Sequence, residues 1–326
     1  MLVRHRTIRI DGAEVERTPL LVPAFSSKGF PDAAKVVATT SQVIAGPALV
    51  SAYDLWHKKL KPPFDFATLL FLDSGGYEAS KDVELSDVGE RDHTPLPWSR
   101  EQHREVLAAW APAVPSVLIS YDHPSERLPV GDQIERAKLL EPGRTGVGRE
   151  ILLKPETGDQ RFLPMDSLLR RKHIRALGDF SVVGVTEKEI GSSLRGRIRN
   201  IAELRRAMDD VGLADIPIHV FGSLDTISTP LYFLAGADIF DGLTWLRYAF
   251  HQGLMLSRHN YAALDLDFDT KVHVVDGRCW FNNYYRMKEM ELEMRQFINT
   301  GDFGAFQHHS ELFRKAHENL QQALEG

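Results

Sequence analysis

A chain of 326 residues with a single cysteine, Cys279, has no internal disulfide and no structural zinc site built from several thiolates. Long apolar runs are missing too: nothing approaches the roughly 20 apolar residues a helix needs to cross a bilayer, so no membrane partner is expected. Positive charge is not in excess. The 45 acidic side chains outnumber the 39 basic ones for a formal net charge of −6, which excludes a general electrostatic pull toward polyanions and confines any such contact to a local basic patch. Residues 1–10 alternate charged and apolar side chains and lack the apolar core and small-residue cleavage site of a secretory leader, so a cytoplasmic location is expected. There is no repeat and no low-complexity tract, and a composition of 43% hydrophobic and 26% charged residues is that of a soluble globular fold.

What the sequence does contain is alternation. Short apolar, β-branched-rich runs at 19–25, 42–46, 68–73, 116–122, 150–155, 180–185, 217–222 and 237–241 read as strands. Helical spacing lies between them at 48–59, 100–110, 133–140, 164–177 and 194–211, with a short apolar connection at 228–236. Strand and helix in turn point to a parallel sheet, and eight such runs predict a closed α/β barrel, a (β/α)8 TIM barrel. The barrel is expected over residues 1–256, whose last segment is 248–256. Two strongly helical segments, 281–299 and 306–324, predict a C-terminal helical extension over 257–326 that packs on it. The polar stretch 82–98, with two prolines, reads equally as a lid or as a surface excursion.

Barrel enzymes take their catalytic groups from strand ends and the loops just beyond them. Three of the predicted strands end in aspartate: Leu70-Phe71-Leu72-Asp73, Ser120-Tyr121-Asp122 and Ile239-Phe240-Asp241. A lone Asp at such a turn commonly just caps the next helix, but three from separate runs converge on one bowl. Carboxylates gathered at the mouth of an apolar barrel suit glycosidic-bond chemistry, where one attacks or stabilises the anomeric carbon and another handles the leaving group's proton. After Asp73, Ser74-Gly75-Gly76-Tyr77 offers a tight turn open to close ligand approach and a flat ring for a base.

In these words the chain resembles the tRNA-guanine transglycosylase family, including the related 7-deazaguanine DNA transglycosylases, and the resemblance runs in order through most of the sequence. Thr18-Pro19-Leu20-Leu21-Val22-Pro23 and Val43-Ile44-Ala45-Gly46-Pro47-Ala48 look like the family's first two strands. Asp73-Ser74-Gly75-Gly76-Tyr77 is similar to its Asp-Ser-Gly-Gly-aromatic word, and Ala235-Gly236-Ala237-Asp238-Ile239-Phe240-Asp241 to the word that ends in its nucleophile. The resemblance implies Asp241 as nucleophile and Asp73 as acid and base. It implies Asp122 as the reader of the guanine Watson–Crick edge, Tyr77 and Phe221 as the rings enclosing the base, and Gly184 and Gly222 as backbone contacts to it. Guanine in tRNA or DNA would be exchanged for a 7-deazaguanine through a covalent glycosyl-enzyme, with the target nucleotide turned out of its stack.

The departures are specific. The family's Cys-x-Cys-x-x-Cys zinc cluster is reduced to Cys279, with His308 and His309 nearby in sequence, so neither metal nor cofactor is expected. Where a Gln-Gly-Gly word stands in the tRNA enzymes, this chain has Leu153-Lys154-Pro155-Glu156-Thr157, which makes Lys154 the candidate contact to the base's carbonyl. The Pro-Thr-Arg after the nucleophile is replaced by Gly242-Leu243-Thr244-Trp245-Leu246-Arg247, so the polymer stays open between tRNA and DNA and Arg247 is the candidate phosphate ligand. The five arginines of 195–206, the run Arg170-Arg171-Lys172 and the lysines at 58, 59 and 61 read first as solvated faces. Tyr284, Tyr285, Phe297 and Phe306 read as core or homodimer packing. Two other readings stand beside base exchange: a catalytically degenerate barrel serving as a nucleic-acid-binding or partner subunit, and an unrelated phosphate-binding barrel, for which Gly222-Ser223 is a meagre cradle.

Overall fold

The computed structural model describes residues 2–81, 93–123, 125–140 and 144–325; residues 82–92 of the stretch read as a lid or a surface excursion lie outside them. The strands are β1 (Thr7–Ile10), β2 (Ala13–Arg17), β3 (Leu20–Phe25), β4 (Ala48–Ser51), β5 (Leu70–Asp73), β6 (Ser116–Ile119), β7 (Val147–Leu153), β8 (Val182–Thr186), β9 (Ile218–Phe221), β10 (Ile239–Gly242), β11 (Tyr248–His251) and β12 (Leu254–Ser257). Strands β3 to β10 close into one parallel barrel of eight, in chain order, with β10 pairing back onto β3. Such a sheet is covered on both faces, and its strands are buried almost throughout, as their near-continuous apolar runs require.

The predicted alternation is correct in outline and shifted in places. The second barrel strand is Ala48–Ser51, not 42–46, and the helix expected at 48–59 is confined to Ala52–Trp56. Val43 and Ile44 instead close a turn onto the Thr40 carbonyl after the helix Ala33–Thr40, which the sequence reading missed, and the ladder begins beyond Pro47, where the Ala48 amide reaches the Leu69 carbonyl. The segment 164–177 is two short helices, Met165–Leu168 and Arg171–Ala176, broken at Arg170, whose ψ of 128° is extended. Segment 248–256 is the hairpin β11–β12, turning on Gln252 and Gly253 with φ of 49° and 77°, the left-handed pair that fits a tight hairpin.

A second hairpin, β1–β2, stands at the amino-terminal end of the barrel strands, with Ile8 and Ile10 buried. There Asp238 joins Arg6 (2.7 Å) and Arg205 (2.9 Å) and accepts from the Ile218 amide (2.8 Å), so the first Asp of the Asp238-Ile239-Phe240-Asp241 word is scaffold. At the other end of the sequence, the helix Val272–Thr300 buries Cys279, Asn283, Met287, Met290, Met294 and Phe297, a spacing of three to four that makes one apolar stripe. Polar groups pin it to the barrel: Glu291 accepts from the Leu21 amide at 2.8 Å, and Asn283 donates to the Trp245 and Tyr248 carbonyls and accepts from the Phe250 amide. With the last helix, Ser310–Glu325, it shares one continuous core with the barrel. Among the described residues no helix is long and apolar enough to cross a membrane.

Candidate active site

All three aspartates emerge at the carboxyl-terminal rim of the barrel. Asp73 ends β5, Asp122 lies three residues beyond β6, and Asp241 sits in β10 level with Val22 of β3. Asp73 and Asp241 are near enough for charge on one to be felt by the other. Burial, then Glu78, then Asp241 push Asp73 up to about 8, against the pull of the Ser74 and Gly75 amides. Behind Asp73 lies a second acidic layer. Glu78 accepts from the hydroxyls of Ser26 and Ser51, and Asp54 from the Ser27 amide (2.8 Å) and hydroxyl; burial raises them to about 7 and about 6.

The Gly75-Gly76 turn lets this edge close over its neighbour. Gly75 has φ of 84°, and a Cβ on Gly76 would stand 2.7 Å from Asp122 Oδ2. Tyr77, just beyond, carries Lys28 over its ring at 4.3 Å, and its hydroxyl accepts from Arg247 at 2.8 Å. Arg247, expected on a phosphate, is thus placed on the same rim and against Tyr77.

Asp122 and Lys154 come together, but within a ring of four charges. Arg127 meets Asp122 at 2.6 Å and Lys154 meets it at 3.1 Å, while Lys154 reaches Glu189 at 2.6 Å and Arg127 approaches Glu189 at 3.4 Å. Burial alone would raise Asp122, but Lys154 and Arg127 outweigh it and hold the carboxyl below its ordinary value; the two carboxylates keep Lys154 above its own despite burial. Both oxygens expected to read a base are engaged by cations here.

The opposite wall is built on β8 and β9. Phe221 lies on His219, with ring centroids 3.9 Å apart and planes at 26°. It fits there because Gly184 has no side chain: a Cβ would stand 2.6 Å from Phe221 Cε2 and 2.7 Å from Glu150 Oε1. The Gly222 amide donates to Asp241 Oδ1 at 3.0 Å. Beneath Asp241 are two groups absent from the sequence reading. His219 Nε2 lies 3.3 Å from Asp241 Oδ1, within ion-pair reach though short of hydrogen-bond geometry, and His219 Nδ1 meets Glu150 Oε1 at 2.9 Å. Burial would lower His219, but Glu150 and Asp241 carry it to about 9; burial pushes Glu150 up, with His219 pulling the other way. The available signal was a His and a Glu inside otherwise apolar strand runs.

Most of the basic helix turns inward or onto its own surface. Arg205 is buried on Asp238, Arg197 meets Glu187 at 3.0 Å, Arg199 meets Glu203 at 3.5 Å, and Arg206 donates to the Leu324 carbonyl. Cys279 lies in a small apolar cluster with Ala249, Tyr261 and Val275, its thiol pushed up to about 11 by burial, whereas His309 is on the Gly253 carbonyl at 2.9 Å. Among the described residues no group of three or more His, Cys, Asp or Glu side chains is placed to hold a metal ion. No family model matches the chain, and no curated protein matches it.

Proposed function

We propose that the protein is a nucleic-acid guanine transglycosylase, exchanging guanine in tRNA or DNA for a 7-deazaguanine through a glycosyl-enzyme on Asp241. The observation that carries this reading is the unequal pair of carboxyls on one rim: Asp73, pushed to about 8, and Asp241, pinned through Oδ1 by the Gly222 amide. At neutral pH Asp73 is an acid. In the first half-reaction an Asp241 oxygen bonds to the anomeric carbon, the carbon–nitrogen bond breaks with its electrons passing to guanine, and the Asp73 proton goes to the departing base. In the second, ionised Asp73 takes the ring proton of the incoming base, whose nitrogen displaces Asp241 with net retention. Base entry moves Lys154 from Asp122 Oδ2 to the base's carbonyl and displaces Arg127 from Oδ1, which frees both Asp122 oxygens for the donors of a guanine edge.

Supplying labelled 7-deazaguanine with tRNA and, separately, with DNA tests the reading. Label should enter one polymer, and Asp241→Asn should abolish it in a folded protein. Labelling of neither, or a variant within tenfold of wild type, overturns it. One observation favours the second reading, a non-catalytic nucleic-acid-binding or partner subunit: Asp122 and Lys154, the expected base contacts, are already engaged with each other and with Arg127 and Glu189. Binding of either polymer without exchange is the result that reading requires.

A further inference from the structure

Beneath the rim three ionisable side chains from three strands form a buried line: Glu150 on β7, His219 on β9 and Asp241 on β10. Strands β7 and β9 are not neighbours, since β8 runs between them. The line crosses β8 at Gly184, which is paired with His219 and has no side chain, and whose missing Cβ would lie 2.7 Å from Glu150 Oε1. The other groups against His219 are aromatic: Phe221 on one face and Phe71 of β5 edge-on at 5.4 Å. Among the described residues the charged groups facing the imidazole are Glu150 and Asp241, with Asp73 of β5 near enough to Asp241 for its charge to be felt.

Each nitrogen faces a carboxylate oxygen, Nδ1 at 2.9 Å and Nε2 at 3.3 Å; with both carboxylates ionised these oxygens can only accept, and the imidazole between them then carries hydrogen on both nitrogens and is a cation. An apolar strand interior is an expensive place for a charge unless it is paired. A helix cap or a surface ion pair would not need it, whereas a carboxylate whose charge disappears and returns in each cycle does. Asp241 Oδ1 accepts from the Gly222 amide and has His219 Nε2 3.3 Å away, and among the described residues Oδ2 has no hydrogen-bond or ion-pair partner.

Resting on the proposed glycosyl transfer, we propose that His219, oriented by Glu150, is a positioning residue that aims Oδ2 of Asp241 at the sugar and stabilises the charge returning to Asp241 when the glycosyl ester breaks. In that step the bond between the anomeric carbon and Oδ2 breaks, its electron pair returns to the carboxylate, and the incoming nitrogen forms the new bond after its proton has gone to Asp73. The His219 protons stay where they are. A fixed positive charge favours departure of a carboxylate more than its attack, so His219 matters most in the second half-reaction.

The test follows end-labelled tRNA or DNA, whichever polymer is modified, through both halves. Covalent label on denatured protein after mixing without incoming base reports the first half, and its loss on adding 7-deazaguanine reports the second. His219→Gln should form the adduct within about tenfold of the wild-type rate and discharge it slower by on the order of a hundredfold. Glu150→Gln, nearly isosteric, withdraws the charge that holds His219 cationic; its discharge should fall as pH rises through neutrality while the wild type holds to higher pH. Equal slowing of both halves, or Glu150→Gln with a wild-type pH profile, overturns the relay even though exchange itself stands. If His219→Gln does not fold, the Glu150→Gln profile decides alone. Wild-type protein that forms no adduct with either polymer removes the transglycosylase reading and the relay with it.

Discussion

Stability against pH gives a direct reading of Asp73, independent of any substrate. Its carboxyl stands at about 8 in the folded chain against an ordinary 3.8. Between these values the unfolded chain has lost the proton and the folded chain keeps it, so the folded state binds more protons and stability falls as pH rises. The contribution is fully present below the unfolded value and is lost through the folded one. Each pH unit inside the window removes about 1.4 kcal/mol, so Asp73 alone removes about 3 kcal/mol between pH 5 and pH 7. Asp73→Asn cannot ionise and lacks this slope, although Glu78 and Asp54 keep slopes of the same sign. Urea denaturation of wild type and Asp73→Asn at pH 5, 6 and 7 should show the variant gaining on the wild type by about 3 kcal/mol across the series, with unchanged dependence on denaturant. Parallel curves would mean that Asp73 ionises normally and does not begin as an acid.

Two further substitutions probe the walls of the mouth. Lys154→Met leaves Asp122 and Glu189 buried with Arg127 as their remaining charged partner among the described residues and should cost roughly 3–5 kcal/mol by denaturant titration; a loss below about 1 kcal/mol would mean the four charges are not closed into a ring. Gly184→Ala drives a methyl to 2.6 Å from Phe221 and 2.7 Å from Glu150, and overpacking of this kind should cost roughly 1–3 kcal/mol, read as a lower melting temperature.

The barrel was legible because its strands are buried on both faces and read as apolar runs, and the rim aspartates because they end those runs. The second strand slipped because Val43-Ile44 and Leu49-Val50 flank Gly46-Pro47 as two equally apolar candidates, and only pairing with β5 selects the later one. Residues 7–17 alternate as a hairpin should, yet a two-stranded ribbon packed against the end of a barrel leaves no mark of its destination in the sequence. The β11–β12 hairpin was hidden because its turn asks Gln252 for a left-handed conformation that sequence does not advertise. Within the site, Asp73, Asp122 and Lys154 could be named individually, but the Arg127 and Glu189 partnership could not, because it closes across loops far apart in the chain. Glu150 and His219 are 69 positions apart and meet only over a glycine on a third strand, a juxtaposition that no periodicity encodes.

The central claim is that Asp241 becomes covalently bonded to a nucleotide sugar. Mixing the protein with end-labelled tRNA or DNA, denaturing, digesting and sequencing the labelled peptide by mass spectrometry tests it most directly. The label should sit on Asp241 and vanish in Asp241→Asn, whereas a label on any other residue, or base exchange that proceeds with no protein-bound sugar, would contradict it.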